Sequence, residues 1–206
     1  MSDNVDSLLN GNDLITRLNA YLGLGGDRKI VARGPVTTDA IRLVTDVTGD
    51  KSPIYSDANY AAASIHGGIV APPSSVLWWH RRLFEPVSTS DWIDEQNTRR
   101  FRLDPNPARQ VGVRETELGL LAEVIQILAE AGYSSVAVTN SDTTIRRYPR
   151  VGDLLTCFGP KIEAIVGPKK TGLGEGFFTT SEYVLRDDAN DIVAKWRTTR
   201  LHFAPR

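Results

Sequence analysis

Residues 36–73 read VTTDAIRLVTDVTGDKSPIYSDANYAAASIHGGIVAPP. Apolar residues at helical spacing near the start of this stretch predict a helix. Thr37 or Thr38 caps it, and Gly49 ends it. From Asp50 onward, small, apolar and turn-forming residues are mixed without periodicity. The segment is too apolar for a disordered linker, and long ordered loops of this kind usually carry function.

Helical patterns dominate the chain on both sides of this loop. Upstream, residues 13–22 predict a short amphipathic helix and residues 29–36 predict a strand. Downstream, a helix is predicted over residues 76–84, followed by a polar surface insertion at 85–113. The longest helix is predicted over residues 115–130, where apolar residues recur every three or four positions.

The last third of the chain has the pattern of strands. Residues 154–165, 176–185 and 192–203 are predicted strands, and a turn at 187–191 joins the last two. Helices followed by antiparallel strands predict an α+β fold in which one sheet wraps a helix. We expect the helix at 115–131 to be the wrapped one, because a glycine and a strand follow it at once.

The composition excludes several classes of function. The 206 residues carry 24 Lys+Arg against 25 Asp+Glu, a net charge of -1, which argues against nucleic acid as a partner. The single cysteine, Cys157, excludes an internal disulfide, and three histidines without metal-ligand spacing predict no metal site. We also expect no signal peptide and no membrane insertion, which fits a cytoplasmic protein.

The loop matches a family pattern at ten positions. They are Thr48, Gly49, Asp50, Pro53, Ile54, Asp57, Tyr60, Ala61, Gly67 and Gly68. This series resembles the MaoC-like (R)-specific enoyl-CoA hydratases and their dehydratase relatives. The resemblance implies a hot-dog fold, which is an antiparallel sheet wrapped around a central helix, here with an N-terminal helix and a long helical or loop insertion.

Two departures from the pattern affect its chemistry. In the family, an Asp and a His position and deprotonate a water molecule, and a backbone N–H near the glycine turn binds the thioester oxygen. Asp50 keeps the first position, but Tyr55 replaces the His and Ser52 replaces an Asn. Because a phenol has an ordinary pKa of about 10, Tyr55 is a poor base at neutral pH. We therefore expect a broken catalytic dyad and assign no confident catalytic residue.

A second stretch of resemblance indicates a heteromeric enzyme. Residues 129–156 and 172–205 resemble the larger, dyad-lacking subunit of the enoyl-CoA hydratases of steroid side-chain degradation. This implies a heterotetramer with a small catalytic hot-dog subunit, a 2-enoyl-CoA substrate of cholesterol type and no cofactor. We expect residues 29–206 to form a single domain of this kind and residues 1–28 to form an N-terminal helical extension.

Substrate-binding residues are predicted in and near the loop. They are Tyr60, His66, Gly67, Gly68 and Trp78. Structural roles compete with these functions, since Asp50 could be a turn carboxylate, His66 a structural histidine and the glycines plain turn residues. Four basic groups, near residues 81, 100, 147 and 170, are candidates for binding the CoA phosphates.

Other functions remain open from the residues alone. One is a self-sufficient homodimeric hydratase or dehydratase that uses Asp50 with His66 or Tyr55. Another is a non-catalytic acyl-CoA carrier or scaffold, and a thioesterase is a weaker enzyme alternative.

Overall fold

The computed structural model describes residues 13–32, 34–79 and 118–204. The insertion predicted at 85–113, His80 and the basic groups at 81–82 and 99–102 lie outside these residues.

Helices and one antiparallel sheet make up the described residues. The helices are α1 (13–19), α2 (Thr38–Thr48), α3 (Ala58–Ala63) and α4 (Leu120–Glu130), with 3-10 turns at Pro53–Tyr55 and Pro73–Leu77. The strands are β1 (Lys29–Val31), β2 (Ser135–Ile145), β3 (Thr156–Thr171), β4 (Gly174–Arg186) and β5 (Ile192–Phe203). They form a five-stranded sheet in the order β1-β3-β4-β5-β2, with every pairing antiparallel. The α+β prediction is confirmed.

Element boundaries differ from the predictions at several places, and α4 begins at Leu120, after its N-cap Gly119, rather than at residue 115. The first strand ends at Val31 rather than residue 36, since Gly34 and Pro35 follow and proline has no N–H to donate. β3 continues to Thr171 rather than residue 165, because it pairs with β4 as far as Gly174. The helix predicted from residue 76 is instead a 3-10 turn that begins at residue 73, with proline in its first turn.

α4 covers one end of the inner sheet face. Val124 and Leu128 are fully buried and pack with Leu18 of α1, Ile162 of β3 and Phe177 of β4. We call these five residues the helix-end cluster. The prediction that the helix after residue 115 lies against the sheet is therefore confirmed, and α1 contributes to the same core. The prediction that it is the longest helix is wrong, because α2 and α4 both have 11 residues. The predicted domain boundary after residue 28 stays a prediction.

The loop between α2 and the second 3-10 turn covers the other end of the inner face. We call this packing the loop-end cluster, and its buried loop residues are Tyr55, Val70, Ala71 and Val76. They pack on sheet residues that include Leu155, Leu185, Val193, Ala194 and Trp196. The irregular segment thus lies on the sheet as part of the core.

Polar side chains occupy the sheet between the two clusters. Thr179, Ser181 and His202 have no exposed surface, and Thr198 is 9% exposed. Thr179 Oγ1 lies 3.0 Å from His202 Nε2, and Arg200 donates to Ser181 Oγ at 3.0 Å. Burial and nearby Arg200 lower the pKa of His202 to about 4, so its imidazole is neutral at physiological pH.

Among the described helices, none is long and apolar enough to span a membrane.

Candidate functional site

The end of α2 positions the first two candidate residues. Thr37 accepts a hydrogen bond from the Ala40 N–H and caps the helix, as predicted. Gly49 ends it with φ at 70°, a left-handed conformation that glycine adopts without steric cost. The chain therefore leaves the helix sharply at Asp50 and enters the 3-10 turn that ends at Tyr55.

Asp50 lies exposed at this turn. Its Oδ1 accepts a hydrogen bond from the Ser52 N–H at 3.1 Å, the short-range pattern by which Asp stabilises a turn. Asp50 therefore acts as a turn-stabilising carboxylate, the structural alternative considered for it above.

Tyr55 is buried and its phenol is hard to ionise. Only 8% of the residue is exposed, and it packs in the loop-end cluster. Burial, then the negative charge of Asp50, then Tyr148 raise the pKa of Tyr55 above its ordinary value. The phenol therefore keeps its proton at neutral pH and can donate a hydrogen bond, but it cannot act as a general base.

Tyr148 is a member of the site that the sequence did not reveal. The His66 ring stacks on the Tyr148 ring, with centroids 4.7 Å apart and planes 22° from parallel. The backbone is joined at the same place, since Val70 forms an antiparallel bridge with Arg150. The fold thus gathers Asp50, Tyr55, His66 and Tyr148 from two distant segments, and we call these four residues the loop-end site.

The two glycines continue from His66 at the edge of this site. Gly67 has φ at 69°, in the left-handed region that glycine adopts without steric cost, and this conformation explains why a glycine occurs here. A Cβ built on Gly68 would meet nothing within 4 Å. Within the described ranges, no residue accepts a hydrogen bond from the Gly68 N–H. This amide is therefore a donor that a bound carbonyl oxygen could use.

Tyr60 and Trp78 are less closely tied to the site. Asp57 accepts hydrogen bonds from the Asn59 and Tyr60 N–H groups and caps α3, while the Tyr60 side chain is 55% exposed. Trp78 is half-buried at the end of the second 3-10 turn. Its neighbour Trp79 is the core residue, with its indole N–H donated to Ser75 Oγ at 2.9 Å.

One predicted basic group is held by carboxylates. Arg147 donates to Asp153 and to Asp187, each at 2.6 Å, and so ties the start of β3 to the turn between β4 and β5. Burial opposes its charge, but these two carboxylates raise the pKa of Arg147. Lys169 and Lys170 are exposed on β3.

Two further predictions concern metal and thiol chemistry. In the described part of the chain, no three His, Cys, Asp or Glu residues are grouped to hold a metal ion. Cys157 is fully buried in β3, where its thiol is shielded from solvent.

The chain is similar to curated subunits of enoyl-CoA hydratases. It is 32% identical over 200 residues to a probable enoyl-CoA hydratase alpha subunit of Thermomonospora curvata, covering 96% of this chain and 54% of the relative. It is 30% identical over 182 residues to the 3-oxo-4,17-pregnadiene-20-carboxyl-CoA hydratase alpha subunit of Mycobacterium tuberculosis, covering 88% and 49%. The chain thus spans about half the length of the curated relatives it matches. No family model matches it.

Solved structures share its fold. A chain of the ChsH1-ChsH2 complex from Mycobacterium tuberculosis superposes with a TM-score of 0.72 at 27% identity, covering 95% of this chain and 93% of that one. A MaoC-like dehydratase superposes with a TM-score of 0.51 at 17% identity, covering 91% and 43%, which bears on the fold alone. The predicted resemblance and the hot-dog fold are confirmed.

Proposed function

We propose that this chain is the alpha-type subunit of a heteromeric enoyl-CoA hydratase, with the acid–base dyad supplied by a small hot-dog partner. The observation that carries the proposal is the state of Tyr55. Its position is the one where the resembling enzymes have their base, yet burial and Asp50 raise its pKa and keep it protonated. A hydratase built on this chain therefore needs a base from elsewhere.

The sheet offers a place for the partner. β2 is an outer strand of the sheet, and seven consecutive residues, from Val138 to Thr144, are exposed. A long edge strand with free backbone groups is a template for strand pairing. Pairing here continues the sheet into a second hot dog, and the assembly we propose is a heterotetramer.

This chain contributes binding groups rather than a base. The Gly68 N–H is suited to donate a hydrogen bond to the thioester carbonyl oxygen, whose negative charge grows as water adds to the double bond. The partner's dyad removes one proton from water, the oxygen bonds to C3 and C2 is protonated, so the reaction needs no redox cofactor. We assign His66, Gly67, Tyr60 and Trp78 to the walls around the acyl group.

We further propose a steroid side-chain thioester as the acyl-CoA. The 30% identity to a subunit of a pregnadiene-carboxyl-CoA hydratase supports this substrate class. A cytoplasmic location is compatible with a chain whose single cysteine, Cys157, forms no internal disulfide.

The test is reconstitution. The chain is co-expressed with small hot-dog proteins of its source organism that carry an Asp and a His at dyad spacing, and hydration of crotonyl-CoA and of a steroid enoyl-CoA is measured. We expect activity only in the complex, and loss of at least a hundredfold when the partner's Asp is changed to Asn. In contrast, Asp50→Asn in this chain should leave the rate of the complex within about twofold, because Asp50 is exposed and engaged in a turn.

Two outcomes would contradict the proposal. If the isolated chain hydrates crotonyl-CoA at the rate of the complex and Asp50→Asn abolishes that activity, the chain is a self-sufficient hydratase. If acyl-CoA binds saturably and no subunit combination turns it over, the chain is a carrier or scaffold.

A further inference from the structure

A row of alternating charges crosses the outer face of the sheet. Lys161 of β3 is the register partner of Glu182 on β4, and Glu182 is the partner of Arg197 on β5. Arg197 is in turn the partner of Asp142 on β2. Residues opposite each other on neighbouring strands point to the same face, so the signs run positive, negative, positive, negative toward the β2 edge.

The last charge of the row, Asp142, forms no ion pair within the described part of the chain. Arg197 places its Nε 2.6 Å from Glu163 Oε2, on the side of β5 away from β2. The Asp142 carboxylate instead accepts a hydrogen bond from Asn140 at 2.6 Å. Among the described residues, no cation forms an ion pair with Asp142. A strand added at this edge therefore meets a negative charge that lies opposite Arg197 but forms no ion pair with it or with another described residue.

The sequence of β2 shows that a second copy of this chain is a poor partner. The strand reads SVAVTNSDTTI, in which Asp142 is the single charged residue and no Lys or Arg occurs. Two β2 strands from identical chains place no cation against Asp142 in any register within the strand, and the nearest cation, Arg146, lies just past its end. The register that aligns Asp142 with itself sets two like charges opposite each other, which destabilises a strand pair.

We propose that Asp142 selects the partner strand. That strand comes from a different chain and carries a Lys or Arg next to Asp142, which extends the alternating row across the joint. This inference rests on the proposed heteromeric function and gives a physical reason why the assembly is mixed rather than homodimeric.

Charge substitution at the edge tests the inference. The dissociation constant is measured between this chain and the small hot-dog subunit identified by reconstitution. Asp142→Asn keeps a hydrogen-bond acceptor and removes the charge, so we expect binding roughly threefold weaker, and Asp142→Lys roughly ten- to thirtyfold weaker. Asp188→Lys is the matched control, because it makes the same charge change at an exposed residue of the β4–β5 turn. The affinity of this variant for the partner should stay within about twofold of the wild-type value.

A charge swap identifies the partner residue. When the partner's edge-strand cation is changed to Glu, its binding to the wild-type chain should weaken. The same partner variant should bind Asp142→Lys with most of the wild-type affinity, because the opposite charges are then exchanged. If Asp142→Lys binds the partner as tightly as Asp188→Lys does, Asp142 only guards the edge against aggregation and the inference is overturned.

A second measurement needs no partner. Hydrogen exchange of residues 138–144 in the chain alone is followed as its concentration rises, and we expect no added protection. Concentration-dependent protection of these amides would show that identical edges pair, and it would overturn the inference. If no small hot-dog subunit binds the wild-type chain, the proposed function fails. The hydrogen-exchange measurements at rising concentration still test whether identical edges avoid each other.

Discussion

At the helix end of the sheet, Val124 and Leu128 of the regular helix α4 pack with Phe177, whereas irregular backbone covers the loop end. Both covers bury apolar side chains on the same face of the sheet. The loop end also gathers a carboxylate, an imidazole, the buried phenol of Tyr55, the phenol of Tyr148 and the Gly68 amide. The helix-end cluster itself is apolar, and the phenols packed beside it, Tyr21 and Tyr133, donate hydrogen bonds to Glu123 and Glu175. The difference indicates that one end stabilises the fold and the other adapts it to a ligand.

The largest expected effect comes from the helix end. Leu128→Ala removes a fully buried side chain and should lower the free energy of unfolding by about 3 kcal/mol. Leu43→Ala is the matched control, because Leu43 is 48% exposed on α2 and its truncation should cost less than about 0.5 kcal/mol. Urea unfolding measures both. Equal losses in the two variants would mean that α4 does not carry the stability assigned to it.

The polar residues between the two ends give the next prediction. His202 has a folded pKa of about 4 and an ordinary value near 6.5, so the unfolded chain binds its proton first as pH falls. Its neutral form contributes full stability above about pH 6.5, and this contribution is lost as pH falls toward 4. We expect the free energy of unfolding to fall by about 2 kcal/mol between about pH 7 and pH 5.

His202→Gln separates this effect from other acid-sensitive groups. The variant should flatten the decline over that pH range. Burial opposes ionisation of Asp187, but Arg147 lowers its pKa, so its contribution is lost only below about pH 4. If the variant keeps the wild-type slope above pH 5, His202 is not the group responsible.

Prediction from sequence succeeded where one local pattern determined the structure. The Thr37 cap, the Gly49 stop and the apolar spacing of α4 fixed two helices, because capping and periodicity act within a few residues. β1 and the turn at Pro73 were misjudged because strand length depends on a distant neighbour and 3-10 geometry on tertiary packing.

The site was predicted in part for the same reason. Asp50, Tyr55 and His66 lie in one loop, so a contiguous motif could identify them. Tyr148 joins them through pairing of residues far apart in the chain, and a lone Tyr before a proline gives no local signal of that. The protonated state of Tyr55 follows from its burial, which only the fold determines.

A pair of tyrosine substitutions tests the comparison most directly. Tyr148 stacks on His66 at the loop end, and Tyr133 packs edge-on to Phe177 at the helix end, with centroids 4.9 Å apart. Such aromatic contacts are each worth about 0.5–1.5 kcal/mol, so Tyr148→Leu and Tyr133→Leu should destabilise the chain to a similar, small extent.

Their effects on turnover should differ. In the reconstituted complex, Tyr148→Leu frees His66 and the adjoining glycine turn, and we expect kcat to fall about three- to tenfold because the Gly68 amide is no longer held in place. Tyr148→Phe keeps the ring and should turn over at the wild-type rate. This result would show that the stacked ring matters and that the hydroxyl group takes no part in the reaction. Tyr133→Leu should leave kcat per folded complex unchanged. Equal losses of turnover at both tyrosines would mean that activity follows global stability, and the two ends would then not differ in role.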